Sequence, residues 1–189
     1  MLENRVMKKG VKVTTPALAK VALGGSCHWC TEAIFRSLKG VAEVEQGWLA
    51  ATDSADALHE GIIIHFNPEL ISLGALVAVH LHTHSCTSQH ALRHRYRSAI
   101  YAYSDPQCVE IAAVITGLAA EFNAPILTQA VMFHHFEPSR PENVDYYYRA
   151  PEKPFCQVRI NPKLALLLAK FSEYMDSERK QLIERVING

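Results

Sequence analysis

The sequence predicts an α+β fold with a mixed or antiparallel sheet core and flanking helices. Strand-like and helix-like segments alternate without one uniform βαβ period, which disfavours a doubly wound parallel sheet. Glycine, serine and proline fall between the segments at turn and cap positions. The 189 residues contain no internal repeat or low-complexity linker. That length suits one ordinary domain with a sizeable buried core.

Residues 1–16 read as an N-terminal tail, because the apolar stretch that follows is broken by Lys20 and is not a signal peptide. Residues 17–189 read as a single α+β domain with a C-terminal helical extension. "ALAKVALG" (17–24) reads as a buried strand, and Gly24 and Gly25 permit a tight turn. Residues 28–39 follow as a helix, with Ala33, Ile34 and Leu38 at helical spacing and Gly40 as the stop. Residues 41–50 and 58–66 read as strands, 70–82 as an apolar helix and 95–103 as a strand. Ser104 is a candidate N-cap, with Pro106 in the first turn of a long helix. Residues 126–136 read as a strand. A proline-rich polar connection follows, and 162–187 read as one or two terminal helices.

The 19 basic and 19 acidic residues cancel, so no charge imbalance recruits nucleic acid or an anionic membrane. No apolar run approaches the roughly 20 residues of a membrane-spanning helix. Five cysteines, without a secretion signal, predict reduced thiols and a cytoplasmic location.

Cys27 and Cys30 sit where a strand turns into a helix. Backbone N–H groups and the positive helix end favour a thiolate there, and the thiolate is the nucleophilic form. Cys27 is the better placed, with Cys30 about one turn along. Both could instead be small buried residues. Three functional readings compete. A zinc site would add ligands from "HLHTHSCTSQHALRH", namely His80, His82, His84, Cys86, His90 and His94, but no second Cys-x-x-Cys exists. A thioredoxin-like dithiol fits locally, but no later proline-bearing strand is evident. The third reading is one nucleophile with a companion.

That third reading is carried by a resemblance. "GGSCHWCTEAIFRSLKGV" resembles the signature of the peptide methionine sulfoxide reductase A family. Gly24, Gly25, Cys27, Trp29, Glu32, Phe35, Leu38, Gly40 and Val41 match in order. Downstream, Gly47-Trp48 stands for the family's Gly-Tyr, Glu60 for the glutamate of its His-x-Glu stretch, and "FNP" for Tyr-Asp-Pro. "HRYRSAIY" is similar to Gln-Tyr-Arg-Ser-x-Ile-[Phe/Tyr] and puts Tyr96 on the active-site tyrosine. "YYYRAPEKPFCQVRINPKL" resembles the family's late Tyr-Tyr…Pro-Tyr-Cys-Gln…Pro-Lys-Leu segment. The likeness spans roughly residues 20–165.

The resemblance implies a ferredoxin-like (split βαβ) sheet and a thiol-dependent reductase of methionine S-sulfoxide, free or in proteins, serving repair under oxidative stress. It implies Cys27 as nucleophile, Glu60 as an acid kept protonated by an apolar, partly buried site, and Tyr96 as a hydrogen-bond donor to the sulfoxide oxygen. His28, Trp29 and Trp48 would bind substrate, with Trp29 as a wall for the S-methyl group. Cys27 would become a sulfenic acid, which Cys30 first, or Cys156 second, would resolve to a disulfide. Cys108 reads as packing. An external dithiol, thioredoxin or similar, would then reduce the disulfide. No cofactor and no metal are implied.

Some positions depart from the pattern. His28 replaces phenylalanine, and its imidazole titrates in a useful range, although a helix-start histidine is often simply solvated. Trp48 replaces tyrosine. Counting from Pro68 places His84 and Ser85 on the family's His-Asp, so the aspartate is lost. "SRPENV" keeps almost nothing of Ala-Glu-x-Tyr-His-Gln. Glu32 reads as a support favoured by the first helical turn. The run Tyr146–Tyr148 reads as packing or a groove lining. These departures also fit an alternative: a non-catalytic relative that senses redox state or metal through Cys27 and Cys30.

Overall fold

In the computed structural model, which describes residues 17–89 and 91–189, the first strand leads directly to the cysteine pair. The expected tail (1–16) and the candidate ligand His90 lie outside the described residues. Strand β1 (Ala19–Gly24) ends at Gly25, whose φ of +133° is a conformation few side chains tolerate. A Cβ there would also meet His84 Cδ2 at 2.7 Å. Helix α1 (His28–Phe35) then starts with Cys27 as N-cap. It is shorter than the expected 28–39, because Ser37 and Leu38 close tighter turns onto Ile34 and Phe35.

Strands β2 (Val41–Ala51) and β3 (His59–Phe66) pair antiparallel, with Trp48 opposite Glu60. Helix α2 (Leu73–Thr83) is capped by Ser72, whose Oγ accepts the Ala75 N–H at 3.1 Å. Such a cap is worth about 1 kcal/mol. Strand β4 (Ala99–Ala102) is shorter than the expected 95–103, because residues 91–98 form a turn that carries Arg95 and Tyr96 towards α1. Helix α3 (Asp105–Gly117), capped by Ser104, leads to β5 (Gln129–Pro138). Within the expected polar connection lies a one-turn helix, α4 (Tyr146–Arg149). A wide π-helical turn (Cys156–Ile160) runs into α5 (Asn161–Phe171), and α6 (Ser177–Asn188) follows.

The α+β class and the mixed sheet are as expected, but the sheet does not stay open. The order is β1-β3-β2-β5-β4, and β4 pairs back onto β1 to close a five-stranded barrel. All pairs are antiparallel except β4 with β5, which α3 connects as a parallel crossover. Alternate residues from all five strands (Ala22, Leu49, Ile63, Tyr101, Val131 and neighbours) fill the small inner core. The opposite parity (Val21, Leu23, Ile62, Ile64, Ile100) forms the larger core with the helices. Glu60 shares parity with Ile62 and so faces α1, not the barrel interior.

The C-terminal segment is tied to the loop after α1. Lys39 N–H donates to Tyr174 O at 2.8 Å, and Asp176 N–H donates to Ser37 O at 2.8 Å. Among the described residues, no helix is long and apolar enough to cross a membrane.

Candidate active site

Cys27, at the mouth of α1, opens onto a cavity of about 510 Å³ that Cys30, Glu60 and Tyr96 also line. Cys27 is half-buried, and Cys30 is buried behind it at 3% exposure. The Cys30 thiol acts as donor to the Cys27 sulfur and pulls its pKa below the usual range, with burial opposing. Backbone N–H groups of Cys30 and Trp29 lower it further. The same contact, with burial, pushes Cys30 far up. Cys27 is therefore the sulfur that ionises more readily, and Cys30 the one that keeps its proton. Cys156 does not reach the cavity: it is fully buried, and its Sγ donates to Ala150 O at 3.5 Å. Cys108, as read, packs at the edge of the main core.

Glu60 is 1% exposed, yet its surroundings are not the apolar ones expected. Its Oε2 accepts the His28 backbone N–H at 3.1 Å. Its Oε1 accepts from Arg95 Nε at 2.5 Å and also from Arg95 Nη2. A buried carboxyl group needs such partners, because leaving it bare in a low dielectric is costly. Its contact with Glu60 raises the Arg95 pKa in turn. The guanidinium is half-exposed and lies over both Trp48 (5.7 Å) and Tyr96 (5.5 Å). Trp48 thus backs Arg95 and His28 rather than lining the cavity itself. Burial raises the Tyr96 pKa, so its hydroxyl stays a donor. Ser85 lines the cavity where the family's aspartate was expected.

Trp29 lines the opposite side and is stacked on Tyr146 (4.2 Å, 8°), with Phe155 edge-on at 5.4 Å. Tyr146 is thus packing behind a cavity wall. Glu32, read from sequence as a support, sets this wall from a buried position. At 1% exposure it accepts from Gln46 Nε2 at 2.7 Å and from Asp145 N–H at 2.9 and 3.0 Å. Asp145 has a left-handed φ of 59° and begins α4, so Glu32 holds the strained residue that delivers Tyr146 to Trp29.

Three residues were given no role from sequence. Arg93 donates to the carbonyls of Gly25, Ser85, Ser88 and Tyr96 and so fastens the nucleophile's turn to the segment carrying Tyr96. Arg95 is the second. Lys163 is the third: it lines the cavity, and burial lowers its pKa as its Nζ donates to Thr83 O. The motif match to Pro-Lys-Leu was the available signal for Lys163. Arg93 had none, because a carbonyl clamp leaves no pattern in sequence.

Among the described residues, the histidines of this segment do not converge on Cys27 and Cys30. His80 Nε2 bonds Gly24 O at 3.0 Å, and His84 bonds His80 O at 2.6 Å and Ser98 Oγ at 2.8 Å. His82 pairs with Glu121 at 2.8 Å, and His94 meets Ala91 O at 2.9 Å. Among the described residues, no group of three or more His, Cys, Asp or Glu side chains could hold a metal ion. His80 and His84 stack at 4.1 Å beneath the Gly-Gly turn. Burial pulls His84 from 6.5 to about 4 and His80 well below 6.5. The unfolded chain therefore binds more protons below about pH 6.5, so stability is complete above that pH and drains away towards pH 4. For His84 alone the loss is on the order of 3 kcal/mol. Urea midpoints measured down to about pH 5 should fall, and a flat series would contradict this account.

A low-pKa cysteine, a proton-bearing second thiol and a buried carboxyl on one cavity define a thiol-based redox centre. A family model described as peptide methionine sulfoxide reductase matches residues 19–175. The peptide methionine sulfoxide reductase MsrA of Chromobacterium violaceum is 33% identical over 176 residues, which covers 85% of this chain and 100% of the relative. Among solved structures, reduced Mxr1 from Saccharomyces cerevisiae superimposes with a TM-score of 0.65 at 17% identity, covering 77% of this chain and 94% of that one. Mxr1 in complex with Trx2 gives a TM-score of 0.56 at 19% identity, covering 70% and 90%. The chain belongs to the peptide methionine sulfoxide reductase family.

Proposed function

We propose that the chain reduces methionine S-sulfoxide, free or in proteins, with Cys27 as nucleophile. The convergence of Cys27, Cys30, Glu60 and Tyr96 on one cavity carries this reading within the family already shown. The sulfoxide oxygen passes to Cys27. The sulfoxide sulfur gains two electrons and Cys27 loses two. A thiolate, a sulfoxide and one proton give methionine and a sulfenic acid. Glu60 hands that proton to the oxygen, and Tyr96 donates a hydrogen bond to it. Trp29 contacts the S-methyl group, with His28 and Trp48 shaping the pocket. Cys30 then attacks the sulfenic sulfur, a disulfide forms and water leaves. A thioredoxin-like dithiol, the reductant that family membership implies, restores both thiols by exchange. Cys156, buried away from the cavity, would have to move towards Cys27 to serve as the reserve resolving thiol.

The β4-β1-β3-β2 portion of the barrel is read as a ferredoxin-like split βαβ pair, with β5 added to close it. The domain runs from 17 to 189, and α6 is an extension beyond the family match. A cytoplasmic location follows from the reduced thiols the mechanism needs.

Single turnover tests the reading: reduced protein, no external reductant and a methionine S-sulfoxide. One methionine per chain with loss of two thiols is expected, and no methionine with thiols intact would refute it. Cys30→Ala should still form the first methionine but lose only one thiol, leaving Cys27 as a trappable sulfenic acid. Its Cys27 alkylation should need a higher pH, because the S–H donor is gone. Loss of two thiols in this variant would transfer the resolving role to another cysteine.

A further inference from the structure

The family pattern places a phenylalanine after the nucleophile, and this chain places an imidazole there, against the acid. The His28 backbone N–H donates to Glu60 Oε2 at 3.1 Å, which brings the ring to the carboxyl group. Ring Nδ1 lies 3.3 Å from Gly47 O. A carbonyl only accepts, so Nδ1 carries a hydrogen and Nε2 is the ring atom that gains and loses a proton. Nε2 faces Glu60 Oε2 at 3.9 Å. Oε1 is held by Arg95, a group that only donates. Oε1 takes both Arg95 groups while Oε2 takes only the His28 backbone N–H, so Oε2, the oxygen facing His28, is the one with room for a proton. The ring is 8% exposed and set edge-on to Trp48 at 5.8 Å, so it is held in this position.

We propose that His28 is the proton source for this site: Nε2 passes its proton to Glu60 Oε2, which passes its own to the oxygen leaving the sulfoxide sulfur. The proposal rests on the reductase reading. One proton moves per methionine formed. It leaves Nε2 neutral, restores the Glu60 carboxyl and ends on the sulfenic oxygen, and Nε2 recovers it from solvent. No further oxidant or reductant is needed.

The groups facing the ring are few. Cys27 comes from its own helix start, Glu60 from β3, and Arg95 and Tyr96 from the segment before β4. Strand β2 adds the Gly47 carbonyl and Trp48, which do not titrate. Burial pulls His28 below its usual range, with Glu60 opposing and Arg95 assisting. The protonated imidazole is the form that gives the proton, so the rate falls as pH rises through the lowered His28 pKa.

The test is single-turnover methionine formation across a pH series by the full chain, His28→Phe and His28→Asn. Asparagine keeps an N–H for Gly47 O but cannot titrate. The parent should show a one-proton limb that falls with rising pH. Both variants should lose or displace that limb and be at least about 10-fold slower at the acid end of the series, where the parent's imidazole is protonated. Cys27 alkylation should proceed in both as in the parent. Three outcomes would overturn the assignment: an unchanged pH profile in either variant, a loss that is uniform across pH, or rescue by asparagine. Failure of the parent itself to form methionine would instead defeat the reductase reading, so the two failures are distinct.

Discussion

Cys27→Ser is expected to form no methionine above the buffer background and to keep all remaining thiols intact. The serine hydroxyl has no low-pKa form for the Cys30 thiol and the N–H groups of Trp29 and Cys30 to stabilise, so no nucleophile is present at neutral pH. The fold should be unaffected, because Cys27 is half-buried at the helix mouth and serine is a good N-cap. The measurement is methionine and free thiol per chain after one turnover, with thermal unfolding as control. Methionine formation by a folded Cys27→Ser protein would remove Cys27 from the chemistry.

Glu60→Gln is expected to slow methionine formation by about 10² to 10⁴-fold, the usual contribution of a positioned acid. Glutamine keeps the volume, and its single amide oxygen can accept from Arg95 or from the His28 N–H, though not from both. Arg95 is half-exposed, so losing its charge partner there costs little. The rate loss would then report the missing proton rather than a collapsed site, provided Cys27 alkylation is preserved. A Glu60→Gln protein that sustains the parent rate would mean that the oxygen takes its proton elsewhere.

The site was legible in sequence to the extent that its residues follow local rules. Gly24-Gly25 before Cys27 announced the strand–turn–helix junction, and Gly25 indeed adopts a φ that excludes other residues. Ser72 and Ser104 cap α2 and α3, the second as expected. Non-local partners were not legible. The burial of Glu32 depends on the Asp145 N–H, 113 positions away, and the bonding of Glu60 depends on Arg95, 35 positions away. Residues 95–98 read as strand, but Arg95 and Tyr96 turn to the cavity, Arg97 pairs with Asp53 and Ser98 bonds His84, so only Ala99–Ala102 remain in β4. Closure of the sheet was hidden for the same reason. Nothing in β5 alone indicates that it will pair with β2 on one side and β4 on the other.

That closure bears on the company this protein keeps. Oxidised proteins are often partly unfolded, and such chains seek unpaired strands to add themselves to. An open sheet would offer its outer strands as templates, and an enzyme that visits damaged chains would risk co-aggregating with them. Here β4 and β5 complete the ring, and stretches left without a strand partner on one side, such as residues 19–21 of β1 and 41–46 of β2, are short. The protein can therefore engage a sticky client through one cavity and let it go, lending it little backbone to grow on.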